Sequence, residues 1–208
     1  MLVTMAEGHS TALSADAVHW NILSKDWNAR LLPFSLAYGI VVSECEVRFM
    51  ARIDSYSDGI ERTAVFKSGL FHDDVFEIFI GMPNSPQYLE FHISPRGEWW
   101  GALFNSYREL ERELPDAEVL VESEKWENGW MGSLVIPLQN FERLKGGEEC
   151  TFHVAAILSV PADLPRVSGG NEKMYISSSE HVPTGKPDFH LQELRVAPDG
   201  QVAWKGGL

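Results

Sequence analysis

The run Tyr88-Leu89-Glu90-Phe91-His92-Ile93-Ser94 alternates with a period of two. Leu89, Phe91 and Ile93 point one way, and Tyr88, Glu90, His92 and Ser94 point the other. That spacing cannot make a helical stripe, because helices repeat at 3.6 residues; it makes a strand with one apolar face. Similar runs recur along the chain. Residues 75–80 form a strand with large side chains on both faces: Val75, Glu77 and Phe79 on one, Phe76, Ile78 and Ile80 on the other. Residues 40–53 alternate with a slip near Ser43-Glu44, which reads as one strand carrying a bulge. Residues 119–126 and 130–138 flank Glu127-Asn128-Gly129, and Asn-Gly between alternating runs is a strong hairpin signal. Pro198-Asp199-Gly200 separates a second pair, 191–197 and 201–204. Further strands are expected at 99–104, 151–160 and 174–178, with an edge strand or irregular wrap from Val18. One short helix is expected over 105–114.

Eight to ten strands joined by turns predict an all-β, immunoglobulin-like or jelly-roll-like sandwich of two antiparallel sheets with one short helix. The chain has 208 residues, and neither a repeat nor a linker divides it. Residues 1–16 read as a loose N-terminal arm and 17–208 as a single sandwich domain.

Charge narrows the partners. The formal net charge is −13, from 30 acidic and 17 basic residues. A nucleic-acid partner is excluded on that balance, since phosphate binding needs clustered Lys and Arg, and so is docking on anionic lipid. Apolar runs fall well short of a membrane span. The first residues lack a basic and then continuously apolar leader, which predicts a cytoplasmic protein, or a periplasmic or secreted one whose leader has been trimmed. Cys45 and Cys150 have no metal-ligand spacing and read as packed thiols in a reducing compartment.

The chain contains no nucleophile elbow, no HExxH, no phosphate-cradling glycine loop and no dinucleotide fingerprint. Glu77 and Glu90 on neighbouring strands could approach the spacing of a glycosidase pair, against a reading as a solvated polar face. A haem held by His and one of Met50, Met82, Met131 or Met174 has no support in spacing. The aromatic content is a better guide. Seven Trp is high for a soluble domain, and Trp99 and Trp100 are adjacent, so one of them leaves the core side of a strand. An indole stacks on the apolar face of a pyranose while carboxylates, His and Arg bond its hydroxyls. Glu77, Glu90, His92, Arg96 and one of the two Trp are therefore expected to share a solvent-facing surface. A protein-interaction sandwich using edge strands or that Trp face is the other binding reading.

Phe71-His72-Asp73-Asp74-Val75-Phe76-Glu77-Ile78-Phe79-Ile80, followed by Tyr88-Leu89-Glu90-Phe91-His92-Ile93-Ser94-Pro95-Arg96-Gly97, resembles the core signature of carbohydrate-binding module family 9 and its DOMON-like relatives. Trp130-Met131-Gly132-Ser133-Leu134-Val135-Ile136-Pro137-Leu138 is similar to the family's Trp strand, and Phe189-His190-Leu191-Gln192-Glu193-Leu194 to its closing strand. The likeness runs from about residue 18 to 194. It implies a sandwich with a concave face and a saccharide ligand clamped between two aromatic rings, without catalysis. Phe71 stands at the first clamp position, Asp74 lies within the signature, and Glu77 matches a glutamate that bonds sugar hydroxyls. Thr184-Gly185-Lys186-Pro187-Asp188 carries no aromatic residue where the second clamp would stand. The family often holds a structural calcium ion, for which Asp54 and Asp58 in an acidic turn are the candidates. The DOMON-like alternative is a small-ligand or haem-binding domain.

Overall fold

A computed structural model describes residues 3–5, 18–27, 29–42, 46–56, 70, 74–81, 85–106, 108–115, 119–137, 151–160, 173–178, 194–196 and 202–204. Every element in that set is a strand: β1 (Val3–Met5), β2 (Asn21–Lys25), β3 (Leu31–Val42), β4 (Glu46–Asp54), β5 (Val75–Gly81), β6 (Tyr88–Ile93), β7 (Trp99–Ser106), β8 (Glu109–Glu113), β9 (Leu120–Trp126), β10 (Gly129–Pro137), β11 (Thr151–Ser159), β12 (Lys173–Ser177), β13 (Leu194–Val196) and β14 (Val202–Trp204). They build two six-stranded sheets and one two-stranded ribbon. The first sheet runs β1-β3-β4-β10-β9, with β2 also along β3; the second runs β12-β11-β5-β6-β7-β8. Neighbours are antiparallel except β1 and β3, which are parallel.

The two sheets pack through the apolar faces that the alternation marks. Leu36, Tyr38, Ile40, Phe49, Ile53, Trp130 and Leu134 from the first meet Phe76, Ile78, Leu89, Phe91, Ile93 and Val154 from the second in one buried cluster. Trp130 is fully buried, with its ring centroid 4.8 Å from that of Phe76. Aligned stacking of two inner faces in this way is the sandwich arrangement.

Four local expectations are corrected. The run 40–53 is not one bulged strand: Val42 pairs with Val47, so the chain reverses between β3 and β4 and continues antiparallel. The helix expected over 105–114 is replaced by the end of β7 and by β8, with Arg108 between them at φ 58°. Pairing of β8 to the free edge of β7 wins over a helix too short to bury a face. All five residues of β8 are exposed, and their charge shields the edge of the sheet. At the β9–β10 hairpin the connecting residues are Glu127 and Asn128, because Gly129 already pairs with Trp126. Gly129 serves close approach: a Cβ there would lie 2.2 Å from the Ile53 carbonyl oxygen. Finally, three residues of the expected loose arm, Val3–Met5, pair with Ile40–Val42.

Candidate functional site

Parity decides what each side of β5 and β6 carries. Even-numbered residues of β5 face the first sheet, so Val75, Glu77 and Phe79 occupy the opposite, outer face of the second sheet. Register then assembles a row across strands: Glu77 lies opposite His92, and His92 opposite Trp100. Glu90, two residues before His92, falls on the same face, opposite Phe79 and Ala102.

The row converges on one atom. His92 Nε2 is 2.8 Å from Glu90 Oε1 and 3.2 Å from Glu77 Oε1. Only 4% of each of the His92 and Glu77 side chains and 15% of the Glu90 side chain is exposed. The Trp100 ring packs on the imidazole at a centroid distance of 5.0 Å and donates its Nε1–H to Glu113 at 3.0 Å. Burial works against charge on His92, but Glu77 and Glu90 outweigh it, so the imidazole pKa is held above its usual 6.5.

Apolar packing flanks the cluster. Phe79, Tyr88 and Phe104 lie towards one end, with Tyr88 and Phe104 stacked at 4.7 Å; Val75, Leu70 and Ile157 lie towards the other. The expectation of a solvent-displayed acidic face is therefore not met at Glu77 and His92, which are buried. Trp100, half-buried, is the member of the tryptophan pair on this face, whereas Trp99 joins the inter-sheet core.

The remaining expected residues scatter. Asp74 is fully buried and engaged by the fold: its Oδ2 takes the Tyr56 hydroxyl at 2.6 Å, and its Oδ1 takes the Ser159 amide at 2.7 Å, the Ser159 hydroxyl at 2.8 Å and Lys173 Nζ at 3.1 Å. That donor set makes it a structural carboxylate in place of a ligand contact. Arg96 sits in the turn between β6 and β7 and pairs with Glu98 at 2.8 Å. Asp54 forms a two-pronged pair with Arg52 at 2.7 and 3.0 Å, which takes up the carboxylate that calcium would need. Phe71 and Asp58 lie outside the described residues. Glu113, hidden from sequence reading by the expected helix, joins the face through Trp100; with four charged residues in 109–113, the local pattern carries no signal for it.

Two packed sheets with a polar cluster on the outer face of one define a β-sandwich. No family model matches the chain, and no curated protein matches it by sequence. Solved structures do resemble it in fold. A protein from Bacteroides uniformis ATCC 8492, provisionally described as carbohydrate-binding, superposes with a TM-score of 0.61 at 12% identity, over 91% of this chain and 95% of that one. A carbohydrate-binding module of family 9 from Caldicellulosiruptor kristjanssonii, in complex with glucose, gives a TM-score of 0.54 at 11% identity, over 85% of this chain and 84% of that one. The cellotriose complex of a family 9 module from the same organism gives 0.53 at 10% identity, over 85% of this chain and 82% of that one. The chain thus has the fold of carbohydrate-binding module family 9, as its sequence resemblance implies.

Proposed function

We propose that this protein is a non-catalytic carbohydrate-binding module that takes a mono- or oligosaccharide at the margin of the outer face where Trp100, Glu90 and Glu113 meet. The observation that carries the reading is the shared fold, which extends over 85% or more of the chain in each of the three similar structures. The local chemistry supports it. The Trp100 indole is half-buried and fixed in orientation by its bond to Glu113, so ring stacking costs little side-chain entropy. Glu90 and Glu113 supply acceptors for hydroxyl groups. A hydrolytic role is disfavoured because Glu77 and Glu90 both turn onto His92 in place of flanking a substrate cleft.

Titration of the full chain with glucose, cellotriose and a broader glycan panel, read by calorimetry and tryptophan fluorescence, tests this. Saturable binding by at least one saccharide, lost in Trp100→Ala with the fold retained, is the expected result. A panel without any response, or binding that survives Trp100→Ala unchanged, overturns it.

A further inference from the structure

We propose that Glu77, Glu90 and His92 form a binding site for a divalent transition-metal ion of the zinc class. The three side chains each present one donor atom, and these atoms all lie within 4.8 Å of one another. Their placement is built into the sheet: Glu77 and His92 are directly opposed on β5 and β6, and Glu90 shares the His92 face. One imidazole nitrogen plus two carboxylates is a three-ligand set that leaves a further position open.

Proton count points the same way: His92 Nε2 bears at most one hydrogen, yet two carboxylate oxygens face it at 2.8 and 3.2 Å. A cation among the three atoms bonds all of them. Ligand bonds of roughly 2.1 Å in tetrahedral array set donors about 3.4 Å apart, so the two distances from His92 Nε2, 2.8 and 3.2 Å, need only a small outward adjustment. The nitrogen donor and the small ligand number favour zinc, cobalt or nickel over calcium, which takes six to eight oxygens. The Trp100 ring against His92 restrains the imidazole, so the ligand set is held by packing as well as by strand register.

This site does not depend on the saccharide reading, and its readout involves no sugar. The full chain, stripped with a chelator, is titrated with zinc chloride by calorimetry and with cobalt(II) by visible absorption. One equivalent is expected to bind, with cobalt bands of a low-coordinate nitrogen and oxygen site. His92→Asn and Glu90→Gln should each weaken zinc binding by more than the roughly 10–100-fold that loss of an outer-shell partner costs. Circular dichroism and cooperative unfolding check that the variants fold; Glu90, the most exposed of the three, supplies a folded variant should His92→Asn not fold. Absence of stoichiometric uptake overturns the proposal. So does uptake that Glu90→Gln leaves unchanged, which would mark an adventitious ion on an exposed histidine such as His19.

Discussion

Asp74 and Glu77 lie on one short segment, and both are buried, yet they meet different chemistry. Asp74 meets a hydroxyl from the end of the first sheet, an amide and a hydroxyl from β11, and an ammonium from β12. Hydrogen-bond donors thus engage both of its oxygens. Glu77 shares the His92 imidazole with a second carboxylate. Its neighbour is a titratable group, whose pKa, against the opposing effect of burial, the two carboxylates hold above its ordinary value. A carboxylate ringed by fixed donors is part of the frame. A carboxylate that shares a titratable partner with a second carboxylate is coupled to that partner's protonation.

The largest expected effect is at the frame. Asp74→Ala leaves Lys173 and the Ser159 donors without their acceptor, and loss of one partner of a buried pair costs about 3–5 kcal/mol. Urea denaturation should show that fall in stability without a change in slope. A cost below about 1 kcal/mol would erase the distinction between the two carboxylates. Glu77→Gln should cost far less, about 1 kcal/mol, because the amide keeps an acceptor beside His92 while removing one of two like charges. Equal losses at the two positions would break the comparison from the other side.

The third test uses pH, in protein freed of divalent ions. The folded pKa of His92 is raised by Glu77 and Glu90 above its unfolded value of 6.5. A group raised on folding contributes stability that is fully present below the unfolded pKa and is lost as pH rises through the folded one. The stability difference between the wild type and His92→Asn should therefore be largest in favour of wild type below about pH 6.5 and shrink as pH climbs. A difference that grows with pH would mean the imidazole is buried neutral.

The same comparison explains what sequence could and could not convey. Period two told which side chains share a face of β5 and β6, and the Gly129 hairpin fixed the pairing of β9 with β10 to within one residue. It could not tell what lies over a face. Glu77 and His92 read as solvent-facing because they are polar, whereas Val75, Phe79 and Tyr88 on the same face carried the contrary signal. Asp74 read as a ligand contact because its donors stand 85 and 99 residues further along the chain, beyond any local pattern. The reversal between β3 and β4 read as a bulge because alternation resumes with the same composition on both sides. At Glu109–Glu113 there is no apolar alternation to mark a strand, and the charged residues favoured a helical reading.

The smallest expected effect lies on the outer side of the first sheet, where a charged pair is open to solvent. Arg52 meets Asp54 in two hydrogen bonds and lies over the Trp126 ring at 5.2 Å. Half of the Arg52 side chain and 35% of the Asp54 side chain remain exposed. Water and salt therefore screen the pair, and Arg52→Ala should cost about 0.5–1 kcal/mol in spite of its good geometry. Raising the ionic strength should narrow that cost, because the Coulomb part fades while the contact with Trp126 persists. The cost of Asp74→Ala should respond little to the same salt, since its partners are packed away from solvent. If the two losses fell in parallel with salt, burial would not be what separates frame from surface, and the contrast between Asp74 and Glu77 would need a different cause.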